Sequence, residues 1–211
     1  MDDRAALVTA ILSESHRPDL SAEIDGFIRR AESLIASSLR SLEMVQATTI
    51  EDADRVTAGI PIFNLPTNCL DVRAMWAPTA SGYQELRRKT LFEIRRLYSG
   101  ADVLWYAPRA GNQVEFRGDP SADLIIDVEY FARLDALALS TDTNALLQDN
   151  EDIYLSASLF YLHRYTQDQD IAQGFLDSFN GLAAKLNELA AHKEGGADIA
   201  SAYNFHTIPS Y

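Results

Sequence analysis

Few side chains in this 211-residue chain are of the types that do chemistry, and their spacing assembles none of the familiar catalytic constellations. The four histidines, His16, His163, His192 and His206, are scattered. There is no HExxH pair, Walker A loop, GxSxG elbow or GxGxxG turn. His163 follows Asp152 and precedes Asp168 and Asp170, the residue types of a carboxylate–histidine or metal cluster. The plainer reading, which is favoured, is a helix-face histidine with solvated acids at the next turn. Cys69 is the sole cysteine, so neither an intrachain disulfide nor a multi-thiolate metal site can form. It reads as a small packed hydrophobe in a reducing compartment. No catalytic residue, cofactor or metal is expected.

Three stretches suggest binding rather than catalysis. Arg87, Arg88, Lys89, Arg95 and Arg96 place five of the 18 positive charges within ten residues. They form either a docking patch for an acidic partner or DNA, or a solvated face that compensates the acidic remainder. Thr141-Asp142-Thr143-Asn144 is a turn, because Asp and Asn side chains bond to local backbone and fix a chain reversal without glycine. Leu146 and Leu147 would anchor it in a core. Beyond Gly195-Gly196 the tail carries Tyr203, Phe205, Ile208 and Tyr211, an apolar end where a disordered one is normally polar. It reads as an arm that orders on a partner, or as a segment folded back on its own domain.

Charge narrows the partners. With 31 acidic and 18 basic residues the net charge is −13, which argues against tight sequence-independent DNA binding and against an anionic membrane surface as partner. The acidity is uneven: residues 134–211 hold 11 acids and three bases, residues 1–133 hold 20 and 15. An acidic surface facing DNA would repel phosphate, which suits a conduit. No run of about 18 apolar residues predicts a membrane span, and the acidic N-terminus does not read as a signal peptide.

The elements that must carry these residues follow from periodicity. Leu7, Val8, Ile11 and Leu12 predict a short helix over residues 4–14. Pro18 opens a longer one of about 22 residues, with Ile24, Phe27, Ile28, Ala31, Leu34, Ile35, Leu39 and Leu42 as its stripe. From Val45 the period changes to short apolar runs bounded by turn formers: 60–63, 70–76, 83–86, 103–106, 113–116 and 124–130. Gly111-Asn112 reads as a hairpin turn, and 91–98 as a two-turn helix. Asn150 is expected to cap a helix through Leu162, and a last helix runs from Ile171 to Gly195-Gly196. The fold class is therefore α+β: an antiparallel four-helix bundle core with an inserted small β-rich domain and an extended C-terminal tail. The divisions are 1–44 and 134–194 for the helical core, 45–133 for the β-rich domain and 195–211 for the arm.

In this order the stretches resemble the head-to-tail adaptor (connector) proteins of tailed bacteriophages, over about residues 4–190. The long helix around Ile24-Asp25-Gly26-Phe27-Ile28-Arg29-Arg30-Ala31-Glu32 is the first likeness. Phe63-Asn64-Leu65-Pro66-Thr67-Asn68-Cys69-Leu70 is similar to a YxLPxDFL strand entry. Val128-Glu129-Tyr130-Phe131 and then Leu139-Ser140-Thr141-Asp142-Thr143-Asn144-Ala145-Leu146-Leu147 resemble the family's L-S-x-D-T-N-x-L-L stretch. Asp152-Ile153-Tyr154-Leu155 continues as its P-D-x-Y-L does, with Asn150-Glu151 in place of alanine-proline and Ser156-Ala157-Ser158 in place of the small Gly-Ala turn.

The resemblance implies a non-catalytic virion protein assembled in the host cytoplasm. It implies a ring of about twelve copies beneath the portal protein, seating tail or nozzle proteins, with double-stranded DNA passing through the lumen without sequence-specific binding. It implies portal contact through Tyr203, Phe205, Ile208, Pro209 and Tyr211, and a tail-facing or inter-subunit role for the β domain, including Trp105, Tyr106 and the basic cluster. The alternatives are an acidic helical binding module or assembly chaperone that captures a partner through its apolar tail, and an enzyme built on scattered acids and His163.

Overall fold

The computed structural model describes residues 1–51, 54–56, 61–79, 82–96, 105–117 and 125–193. The chain is mixed α+β and separates into two compact units. One joins Met1–Glu43 to Leu134–Tyr211, and the other is Met44–Arg133.

The helical unit begins with α1 (Arg4–Ser15), capped by Asp3, whose carboxylate accepts the Ala6 N–H at 2.9 Å. His16 closes α1 in the left-handed region (φ 53°). The expected 22-residue second helix is shorter. Pro18–Leu20 is a 3₁₀ turn, and Ser21, Glu23 and Gly26 donate to carbonyls three residues back. Those tight bonds delay α2 to Ile24–Ser38. Leu39 then leaves the helix in an extended conformation but stays fully buried. Asn187, on the last helix, receives the Arg40 N–H at 2.7 Å and donates to the Ser38 carbonyl at 3.1 Å, so a distant side chain closes the end of α2.

After Leu134 come α4 (Ala145–Asp149), α5 (Glu151–Tyr165) and α6 (Gln169–Lys193). α5 packs against α1, α2, α4 and α6. Residues Ile153–Leu159 of α5 are all buried, so it is apolar nearly all round, as a central helix must be. Asn150 stands at the N-cap of α5 as expected, but its side chain makes no capping hydrogen bond. Its N–H is spent on the Leu146 carbonyl at the end of α4. Gln167, with φ 67°, turns the chain from α5 into α6. The proposed Gly195-Gly196 stop lies outside the described residues.

Among the described residues, the β unit holds two four-stranded sheets, ordered β1-β8-β3-β4 and β2-β7-β6-β5. The strands are β1 (Val45–Ile50), β2 (Ile62–Asn64), β3 (Cys69–Thr79), β4 (Gly82–Glu85), β5 (Arg87–Arg88), β6 (Trp105–Arg109), β7 (Gln113–Arg117) and β8 (Ile126–Ala132). All pairings are antiparallel except β5 with β6. Between β6 and β7, Gly111 and Asn112 take φ of 79° and 56°, conformations that these two residue types tolerate. Ile50, Phe63, Val72, Met75, Tyr106, Val114, Phe116, Ile126, Val128 and Tyr130 form one core drawn from both sheets. Phe63 and Phe116 meet edge-on at 5.4 Å. Along β8 the alternation is legible: Ile126, Val128 and Tyr130 face the core, while Asp127 and Glu129 take Thr49 and Arg73 as partners. The short helix α3 (Leu91–Arg96) packs on β6 and β7 through buried Ile94. Thr90 and Glu93 exchange hydrogen bonds as a capping box, which holds the Glu93 carboxyl below its usual range.

Candidate functional site

The best-defined constellation is the irregular segment from Asp135 to Asn144. A loop has no ladder to satisfy its backbone, so side chains and neighbouring helices must do so. The Asp142 carboxylate accepts the Ala138 and Leu139 N–H groups at 2.9 and 2.6 Å. Its own carbonyl, with that of Ser140, accepts the Arg4 and Ala5 N–H groups at the open start of α1, at 2.9 and 3.0 Å. Glu32 on α2 accepts the Leu137 N–H at 2.7 Å.

Asn144 completes the arrangement. Its carbonyl oxygen caps α4 by accepting the Leu147 N–H at 3.0 Å. Its amide donates to the Asp135 carbonyl at 3.0 Å and to the Tyr154 hydroxyl on α5 at 2.8 Å. Leu146 and Leu147 are fully buried. One turn therefore fixes α1, α2, α4 and α5 together. Burial pushes the Tyr154 phenol well above its ordinary value, with the Glu32 charge adding to the rise and the Asn144 bond opposing it.

Sequence reasoning singled out Asp142, Asn144, Leu146 and Leu147 but missed Asp3, Glu32 and Tyr154. Asp3 was readable as an N-cap just before a periodic run. Glu32 and Tyr154 carry no local signal; only the tertiary fold brings them to the turn.

The basic cluster is divided between two elements. Arg87 and Arg88 form β5, and Arg95 and Arg96 end α3. Much of its charge is compensated locally. Arg88 pairs with Asp71 at 3.1 Å, Lys89 lies 3.9 Å from Glu93, and Arg95 pairs with Glu115 at 3.2 Å, a carboxylate shared with Arg109 at 2.9 Å. Arg87 is exposed. The Arg96 guanidinium lies over the Phe92 ring, 4.9 Å from its centroid. Trp105 is half-buried on β6. Tyr106 is 3% exposed and packs into the β core. The period-2 pattern that made 103–106 a strand also turned that ring inward.

His163 stacks on Phe175 at 5.5 Å, with Nδ1 3.6 Å from the Asp168 carboxylate. That carboxyl is held below its usual range mainly by the Thr166 hydroxyl, then by His163. Cys69 is half-buried at the start of β3. Among the described residues, no three His, Cys, Asp or Glu side chains come together to hold a metal ion, and no helix is long and apolar enough to cross a membrane. Tyr203, Phe205, Ile208, Pro209 and Tyr211 lie outside the described residues.

Two outcomes test the turn. Asn144→Ala is expected to lower stability by roughly 2 kcal/mol through loss of the cap and of the Tyr154 partner, and Leu147→Asp to remove most folded protein. Urea unfolding of the first variant and the recovery of the second measure this; wild-type values for both would refute the anchoring role.

A third outcome is a pH dependence. A phenol whose folded value is raised contributes stability that is whole below its unfolded value near 10, and that is lost as the pH climbs beyond it. The urea midpoint should therefore fall above about pH 10, and Tyr154→Phe should flatten that fall. Parallel alkaline curves for the two proteins would show that Tyr154 is not its source.

The model of a family described as SU10 adaptor protein matches residues 3–202. No curated protein matches the chain.

Proposed function

This chain belongs to the SU10 adaptor protein family, and on that basis we propose that it is a structural head-to-tail adaptor of a bacteriophage particle. The observation that carries the reading is the match itself, which spans both units of the chain and not merely one of them. Copies of the chain form a ring of about twelve between the portal protein and the tail or nozzle proteins. The ring extends the channel through which double-stranded DNA is retained and then ejected. The protein does this without catalysis, cofactor or metal.

Two physical features support the reading. The excess of acid gives a surface that phosphate does not stick to, as a conduit needs. The Asp142–Asn144 turn gives a helical frame whose entry and return segments are locked together. The β unit is the tail-facing or inter-subunit module, and the arm with Tyr203, Phe205, Ile208, Pro209 and Tyr211 makes the portal contact. An apolar segment of this kind binds by burying its aromatic and aliphatic side chains in a partner groove, which offsets the cost of ordering the chain.

Deleting residues 201–211 should leave folding intact and remove attachment to cognate portal rings in co-sedimentation. Undiminished attachment of the truncated chain would show that the arm is not the contact. A wild-type chain that ignores portal rings but captures unfolded peptides would favour the chaperone reading instead.

A further inference from the structure

We infer that the α3 face carrying Phe92, Arg95 and Arg96 is the surface by which one copy of this chain docks on the first half of α6 in a second copy. The inference rests on the adaptor reading for its biological setting. Its physical argument rests on charge and exposure.

The two units differ sharply in charge. Met1–Glu43 with Leu134–Tyr211 holds 19 acidic and eight basic residues, a net of −11. Met44–Arg133 holds 12 and ten, a net of −2. Like units repel, while the basic face of a nearly neutral unit is drawn to the acidic unit of another copy.

Phe92, Arg95 and Arg96 fall at i, i+3 and i+4, on one face of α3. Phe92 is 68% exposed, although it is large and apolar. Arg96 lies over its ring, and Arg95 remains 58% exposed despite its bond to Glu115. The result is an apolar centre with cationic flanks.

The complementary surface is on α6. Asp170 and Asp177 are exposed, as is Asp168 just before the helix, and no Lys or Arg occurs from Thr166 to Ala184. Ile171, 51% exposed, supplies an apolar centre among them. Three other acids of the helical unit have cationic partners: Asp19 with Arg17, Asp25 with Arg4 and Glu151 with the terminal amine. Asp170 and Asp177 have no cationic partner among the described residues. A basic, aromatic patch and an acidic, aliphatic patch on different units make a heterologous contact. Such a contact propagates head to tail and closes when the rotation allows.

A reciprocal charge exchange on the full chain tests this, read by sedimentation. The first variant is Phe92→Glu with Arg96→Glu, and the second is Asp170→Lys with Asp177→Lys. All four positions are exposed, and circular dichroism checks that each variant is folded. The wild type should at least double its weight-average mass with rising concentration at low salt, and lose that gain at about 1 M salt, where the Debye length falls to about 3 Å. Each variant alone should stay monomeric, and the equimolar mixture should associate again. Three results would overturn the inference: variants that assemble like wild type, a mixture that stays monomeric, or a wild type that never associates. A fourth is duplex DNA retained by wild type and lost in the first variant, which would make the patch a phosphate reader. Portal co-sedimentation of the same samples separates the two readings. A monomeric wild type that still binds portal sinks only the α3–α6 contact, and one that binds no portal sinks the adaptor reading as well.

Discussion

The helical unit is built from two stretches of chain with the whole Met44–Arg133 unit between them. Closing so long a connection carries an entropic cost that grows only slowly with length, but it must be met by contacts between the two stretches. The Asp135–Asn144 turn is where much of that happens. The carbonyls of Ser140 and Asp142 take up the orphan N–H groups at the start of α1, Glu32 on α2 holds the Leu137 N–H, and Asn144 reaches Tyr154 on α5. Each bond is worth only about 1 kcal/mol net. Their arrangement matters more than their sum, because every one crosses between elements that the sequence separates or caps an end that would otherwise be buried unsatisfied. Leu146 and Leu147 then fix the turn against the apolar interior.

A frame locked in this way can leave its outer surfaces to association. The described residues put large apolar groups outside, among them Phe92, Tyr83, Leu139 and Ile171. They also sort charge by unit, leaving acid on the helical side and near-neutrality on the β side. A protein that works by fitting between other components needs rigid placement of such surfaces more than it needs a concave reactive site. The family membership and this division of labour point the same way.

Much of this was legible in the sequence, and the exceptions have physical causes. Helical stripes marked α1, α2, α5 and α6 because apolar positions three and four apart can face only one way. The Asp142 to Asn144 turn was legible because short polar side chains bond locally. The second helix was read too long because Pro18 looked like its start and Leu39 and Leu42 continue its stripe, while i→i−3 bonds tighten the backbone before Ile24 and Leu39 is extended. Asn150 stands at the N-cap of α5 as its residue type suggested, but its side chain makes no bond to the free N–H groups there. Glu32 and Tyr154 were invisible as turn partners, since nothing local announces a contact across more than a hundred residues of chain or from a neighbouring helix.

The central claim is that this chain is a component that seats on a portal. Electron microscopy of cognate portal rings mixed with the purified full-length chain addresses it most directly. The account predicts an added ring of density, coaxial with the portal channel and beneath it. Portal rings that stay bare beside folded, unattached chain would contradict it.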